Sequence, residues 1–225
     1  MPRKPRIVIP EVPHHVTQRG SRRGPVFFDD EDRLLYLDLL RTYADRYSTE
    51  ILAYCLMDNH VHHALVPHEE SSLAQTLKAV HTRYANVVNG KRCWTGHLWQ
   101  QRFFSAPLDD EYLWTAIRYI ERNPVEAGIV TLAEDYRWSS AKSHCTGSAN
   151  QNLSKGTRWA TLIAQRSNWR AWLGETNPQE NVRLLRQRTS RDLPCGSQMF
   201  IRQLEEAIGR QIIPHPKGRP RNPER

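Results

Sequence analysis

The chain lacks a cysteine pairing pattern, a long uncharged apolar run and an internal repeat. Its four cysteines, Cys55, Cys93, Cys145 and Cys195, lie far apart with no Cys-x-x-Cys spacing. That argues against a zinc ribbon and a disulfide framework, and fits a reducing cytoplasm. Without an apolar run, a membrane span is not expected. The basic start, Met1-Pro-Arg-Lys-Pro-Arg6, leads into no apolar stretch of the signal-peptide kind. Acidic side chains are the scarcer sign, 24 Asp and Glu against 32 Lys and Arg, for a net charge of +8 and a sequence pI near 9.6. A balance this basic favours a polyanionic partner, most often nucleic acid. The 225 residues suffice for one full domain and a smaller appendage.

Residues 1–13 hold four prolines and three basic residues and read as an extended basic arm. Residues 14–19 predict a strand, followed by a glycine-bounded loop from Gly20 to Gly24. Asp29, Asp30, Glu31 and Asp32 then place negative charge at a helix start, and Leu37, Leu40 and Ala44 supply apolar positions through about Tyr47. Two strand-like runs, 51–57 and 60–66, flank a turn at Asp58 and Asn59. Ser71 or Ser72 caps a second helix ending near Asn89-Gly90. A fourth strand is expected over 98–104, and a third helix from 109 to about 123, stopped by Pro124. The order β-α-β-β-α-β plus a helix predicts an α+β fold of the ferredoxin-like, split βαβ kind. Its antiparallel sheet would carry helices on one face and leave the other for a ligand. The character changes after about Gly147. The expected division is therefore a domain over 1–147 and a mainly helical or irregular C-terminal extension over 148–225. That extension has a basic stretch at 183–191, an amphipathic helix at 200–208 and a disordered basic tail from about 214.

Side chains of a strand alternate faces, so His60 and His62 point one way, and Val61 and His63 the other. Two imidazoles on one face beside a tight turn can bind one divalent cation; equally, they can be polar residues of a solvated face. On the third helix, Leu113, Trp114, Ile117 and Ile120 share a buried face, and Tyr119 and Asn123 follow one another on a neighbouring stripe. A carboxamide oxygen is a competent ligand for a hard cation, and a tyrosine oxygen is a nucleophile once deprotonated. The plainer alternatives are an aromatic at the core's edge for Tyr119 and a turn cap before Pro124 for Asn123.

Several blocks bear on this choice: His15-Val-Thr-Gln-Arg-Gly20, Tyr54-Cys-Leu-Met-Asp-Asn-His-Val-His62, Arg118-Tyr-Ile-Glu-Arg-Asn-Pro-Val-Glu-Ala-Gly-Ile-Val130, Trp138-Ser-Ser-Ala141, Gly196-Ser-Gln-Met-Phe200 and Lys217-Gly-Arg-Pro-Arg221. In order and spacing they cover most of the chain. With them the chain resembles the REP-associated tyrosine transposases, a bacterial branch of the HUH single-strand nucleases related to single-tyrosine insertion-sequence transposases. The resemblance implies Tyr119 as nucleophile and His60, His62 and Asn123 as ligands of Mg²⁺ or Mn²⁺. Asn123 stands where single-tyrosine relatives often carry Gln. It implies cleavage of single-stranded DNA beside a hairpin through a 5′-phosphotyrosine, by a protein expected to be monomeric. Arg3, Lys4, Arg6, Arg83, Lys91, Arg92 and Arg102 are candidates for phosphate contacts, and Arg19, Arg22 and Arg23 for phosphates or base edges. Lys217, Arg219 and Arg221 resemble a minor-groove hook. A hairpin-binding protein without chemistry would keep the arginines but would not need the four site residues together. A phosphoesterase using water would leave Tyr119 a bystander.

Overall fold

The computed structural model describes residues 6–212. Arg3, Lys4, Lys217, Arg219, Arg221 and the tail from 214 lie outside the described residues. Four strands, β1 (His14–Arg19), β2 (Thr49–Met57), β3 (His60–Pro67) and β4 (Phe104–Pro107), form one antiparallel sheet in the order β2-β3-β1-β4. Two helices, α1 (Asp30–Arg46) and α2 (Ser72–Arg92), supply the crossovers of the expected split βαβ. The Asp29 carboxylate accepts from the Asp32 backbone N–H (2.8 Å), which explains why the acidic run begins α1 where it does. Gly20, at the end of β1, is required by close approach. A Cβ there would sit 2.2 Å from the Gly24 carbonyl oxygen and 2.7 Å from Val26 Cγ1.

Register decides what each sheet face carries. Thr17, His62 and Cys55 stand side by side on one face; Val16, His63 and Tyr54 on the other. On the second face, Tyr36 of α1 bonds both His63 (3.0 Å) and His81 of α2 (3.1 Å). The first face is not left open. It carries α3 (Asp110–Glu126) and α7 (Gln179–Thr189), which packs on α3, β1 and β4. The outer edge of β2 is covered as well. The Leu56 N–H donates to the Trp138 carbonyl (2.9 Å) and the Ser140 N–H to the Tyr54 carbonyl (3.0 Å), so β2 is buried along its whole length.

Two boundaries differ from expectation. The fourth strand starts at Phe104 rather than spanning 98–104. Trp99 and Phe103 are buried, but Trp99 Nε1 donates to the His81 carbonyl (3.1 Å). The aromatic run therefore anchors a connection against α2, and its apolar character imitates a strand. The helix α3 runs through Pro124 to Glu126. A proline removes one helical donor, and so near the end the loss is small. The Asn123 and Pro124 carbonyls accept from the Ala127 (3.0 Å) and Ile129 (2.9 Å) N–H groups, closing the helix at Gly128 with φ +69°. Asn123 thus keeps helical geometry, one turn beyond Tyr119.

The region after Gly147 contributes to the same core as the sheet. Trp159 and Ile163 of α5 (Arg158–Ala164), Trp169 and Leu173 of α6 (Trp169–Gly174) and Leu185 of α7 all join it. A buried carboxylate ties these pieces together. Glu121 of α3 is fully buried; it accepts from Ser140 Oγ (2.5 Å), from His144 Nδ1 in α4 (Ala141–Thr146; 2.6 Å) and from Trp169 Nε1 (2.8 Å). Glu121→Ala removes the acceptor shared by Trp169, Ser140 and the half-buried His144, and is expected to lower stability by about 2–4 kcal/mol. Urea unfolding at pH 7 measures this, and a loss below about 1 kcal/mol would show that the three donors find other partners.

Candidate active site

The cavity between the first sheet face and α3/α7 encloses about 600 Å³ and is lined by His15, Arg19, His60, His62, Tyr119, Asn123, Arg186 and Thr189, among others. The predicted four, His60, His62, Tyr119 and Asn123, meet there. Strand alternation and a one-turn helical step account for their positions, as expected from the sequence. The rings of His60 and His62 lie 5.0 Å apart and nearly perpendicular, and the Tyr119 ring stands edge-on to His62 (5.2 Å) and to His15 (5.8 Å). His63 faces α1, away from this cavity.

Each imidazole has one nitrogen already engaged. His60 Nδ1 lies 2.6 Å from Asn59 Oδ1, which can only accept from it, so His60 Nε2 carries the lone pair. His62 Nδ1 lies 3.0 Å from His15 Nε2, and His15 Nδ1 lies 2.8 Å from Thr189 Oγ1. With His62 and His15 each donating from Nδ1 along this chain, His62 Nε2 also keeps its lone pair. Burial pushes His60 down to about 4, helped by the charge of Arg19 and opposed by its hydrogen bond to Asn123. Burial also holds His62 well below the usual imidazole range and His15 down to about 3. All three are neutral near pH 7, the state in which imidazole donates to a cation. Two neutral imidazoles and a carboxamide oxygen on one cavity wall are a donor set that fits Mg²⁺ or Mn²⁺, imidazole favouring the latter. A different group, Glu11, Glu50 and His68, has ligand atoms within 4.8 Å of one another among the described residues. There His68 bridges the two carboxylates at 2.6 and 3.1 Å, at the far end of β3.

The candidate DNA contacts divide. Arg19 lines the cavity; Arg22, Arg23, Arg83, Arg92 and Arg102 are exposed. Arg92 lies over the Phe28 ring at 3.6 Å, beside the exposed Trp94. Arg6 is engaged internally, donating to the Phe103 carbonyl (2.6 Å) and stacking on its ring (3.6 Å). Lys91 pairs with Asp32 (3.4 Å) and Glu31 (3.6 Å). Sequence reasoning missed Asn59, His15, Thr189 and Arg186 as site residues. His15 carried a signal, since it stands in β1 on the same alternating face that pairs with His62. Thr189 and Arg186 carried none beyond lying in a basic stretch.

A family model described as "Transposase IS200 like" matches residues 10–123, just over half of the 225-residue chain and ending on Asn123. No curated protein matches the chain. Among solved structures, a REP-associated tyrosine transposase bound to a REP hairpin superposes with a TM-score of 0.56 at 16% identity, over 75% of this chain and 96% of that one. That likeness shows the fold. A Deinococcus radiodurans R1 protein described as a candidate transposase matches at 21% identity with a TM-score of 0.38, over 54% of this chain and 97% of its own.

Proposed function

Because the chain belongs to the IS200-like transposase family, we propose that it cuts and rejoins single-stranded DNA beside a hairpin, with the Tyr119 oxygen as nucleophile. The observation that carries this reading is the placement of Tyr119 against His62 in a cavity also lined by His60 and Asn123. The Tyr119 hydroxyl gives its proton to water, its oxygen attacks the scissile phosphorus, the P–O3′ bond breaks, and the 3′ oxygen takes a proton back from water to leave as a hydroxyl. The DNA 5′ end stays on Tyr119 as a phosphodiester, so a 3′-hydroxyl can reverse the step without ATP. His60, His62 and Asn123 would hold a divalent cation, which when bound withdraws charge from the phosphate and orients it. His15 and Asn59 keep the two ligand rings in the required tautomers. Arg19, which lines the cavity, Arg102, which lines a neighbouring cavity sharing Gln18, Gln100 and Gln101 with it, and the exposed Arg22 and Arg23 are the side chains for the DNA backbone and for an unpaired foot. The hairpin-bound relative makes a repetitive palindromic element the first substrate to try. The protein would act as a monomer in the cytoplasm.

The test is covalent trapping. Single-stranded DNA with a palindromic hairpin and randomised unpaired flanks is incubated with the protein and Mn²⁺ or Mg²⁺, then resolved under denaturing conditions. A protein–DNA adduct carrying the 3′-side fragment, abolished by EDTA, is expected. Cleavage to free 5′-phosphate ends without an adduct would point instead to water as nucleophile, and binding without cleavage to a hairpin-binding protein.

A further inference from the structure

Resting on the reading of Tyr119 as nucleophile, we infer that Arg186 is a second catalytic residue of the site, bonded to the oxygen that attacks the phosphate. Arg186 Nε donates to the Tyr119 hydroxyl oxygen at 3.2 Å, and its guanidinium carbon lies 5.1 Å from the ring centroid. The residue comes from α7, 67 positions along the chain from Tyr119 and beyond the residues matched by the family model. Its position is fixed at both ends of the helix turn. Leu185 beside it is fully buried, and Thr189 three residues on bonds His15. The α7 backbone is therefore locked to the sheet face that carries His62, and Arg186 is held over the tyrosine.

Tyr119 and Arg186 line two cavities at once, the one that holds His60, His62 and Asn123 and a second of about 830 Å³ between α3 and α7. Glu126, a carboxylate lining both, is paired to Arg122 at 2.9 Å. A phosphate attacked by Tyr119 would thus arrive beside the exposed guanidinium. During attack, negative charge moves from the Tyr119 oxygen to the phosphate oxygens and on to O3′ as the O–P bond forms and the P–O3′ bond breaks. In rejoining, the Tyr119 oxygen is the leaving group and takes that charge back. A guanidinium donor fixed on that oxygen offsets the charge in both directions, and its terminal N–H groups remain to engage a non-bridging phosphate oxygen. An ammonium cannot reproduce both contacts in one plane.

The experiment measures single-turnover rates of adduct formation and of rejoining for full-length wild type, Arg186→Ala and Arg186→Lys, on the hairpin DNA pool described above. Arg186 is exposed, so its replacement leaves the core packed, and thermal melting checks this. Both rates are expected to fall about 100-fold in Arg186→Ala, the scale for losing one preorganised charge donor, with Arg186→Lys recovering only part. Hairpin binding should weaken by no more than one phosphate contact accounts for, several-fold at most and far less than either rate. Millimolar guanidinium chloride should speed Arg186→Ala while leaving wild type alone, a response no structural role would show. Adduct formation by Arg186→Ala at the wild-type rate or faster overturns the inference, as does a slow variant whose loss follows its DNA affinity and ignores guanidinium. Wild-type protein that forms no adduct overturns the reading of Tyr119 itself, and this inference with it.

Discussion

Tyr119→Phe is expected to lose covalent adduct formation by more than about 10⁴-fold, as removal of a covalent nucleophile does elsewhere, while still folding and binding hairpin DNA. The substitution isolates the chemistry well. The ring is buried and held edge-on by His62 at 5.2 Å and His15 at 5.8 Å, and phenylalanine preserves both contacts. Only the hydroxyl is lost, and its partner Arg186 is exposed, so water replaces the bond and no buried donor is stranded. The melting temperature should stay close to wild type. The measurement is trapping on a denaturing gel, with hairpin binding measured alongside. An adduct that survives in Tyr119→Phe would place the nucleophile on another residue and remove the central role given to this helix.

Acid is expected to unfold the protein between about pH 5 and 4, well above the point where carboxylates alone would do so. Three histidines outside the proposed cation site carry this effect. Burial pushes His14 down to about 4, and His63 and His81 each down to about 3. His63 and His81 share the Tyr36 hydroxyl, at 3.0 and 3.1 Å. A phenol has one proton, so it donates to one ring and accepts from the other, a pattern that needs the accepting ring neutral. The direction follows from the lowered values. As pH falls below the unfolded value of about 6.5, the unfolded chain takes up protons that the folded one refuses, and stability drops until the folded groups themselves titrate. At pH 5 each group costs about 2 kcal/mol, 1.36 times 1.5 pH units, so the three together cost about 6. That is comparable with the whole stability of a typical domain, about 5–15 kcal/mol. Urea unfolding from pH 7.5 to 4.5, followed by circular dichroism, reports this directly. A stability that stays flat across that range would mean the three rings are hydrated in solution.

Much of the site was legible because strand and helix periodicities act over a few residues. Alternation in 60–66 places His60 and His62 together and sends His63 to the opposite face, and a step of four residues places Asn123 one turn beyond Tyr119. The element order likewise determined the β-α-β-β-α-β fold, since hydrophobic period and capping residues such as Asp29 are local properties. Boundaries were less legible where side chains served burial instead of the ladder, as Trp99 and Phe103 do, or where a helix ran through Pro124 because one donor lost so near its end costs little.

What surrounds Tyr119 was decided by tertiary structure alone. Thr189 meets His15 across 174 positions of sequence, and Arg186 meets Tyr119 across 67. No periodicity relates residues so far apart; only the docking of α7 on α3 and β1 brings them together. The sequence by itself determined that His60 and His62 share one strand face and that Tyr119 and Asn123 stand one helical turn apart, because such spacing is set by backbone geometry. The tertiary structure decided which tautomers and charges support them, because those depend on neighbours that the chain reaches only after it has folded.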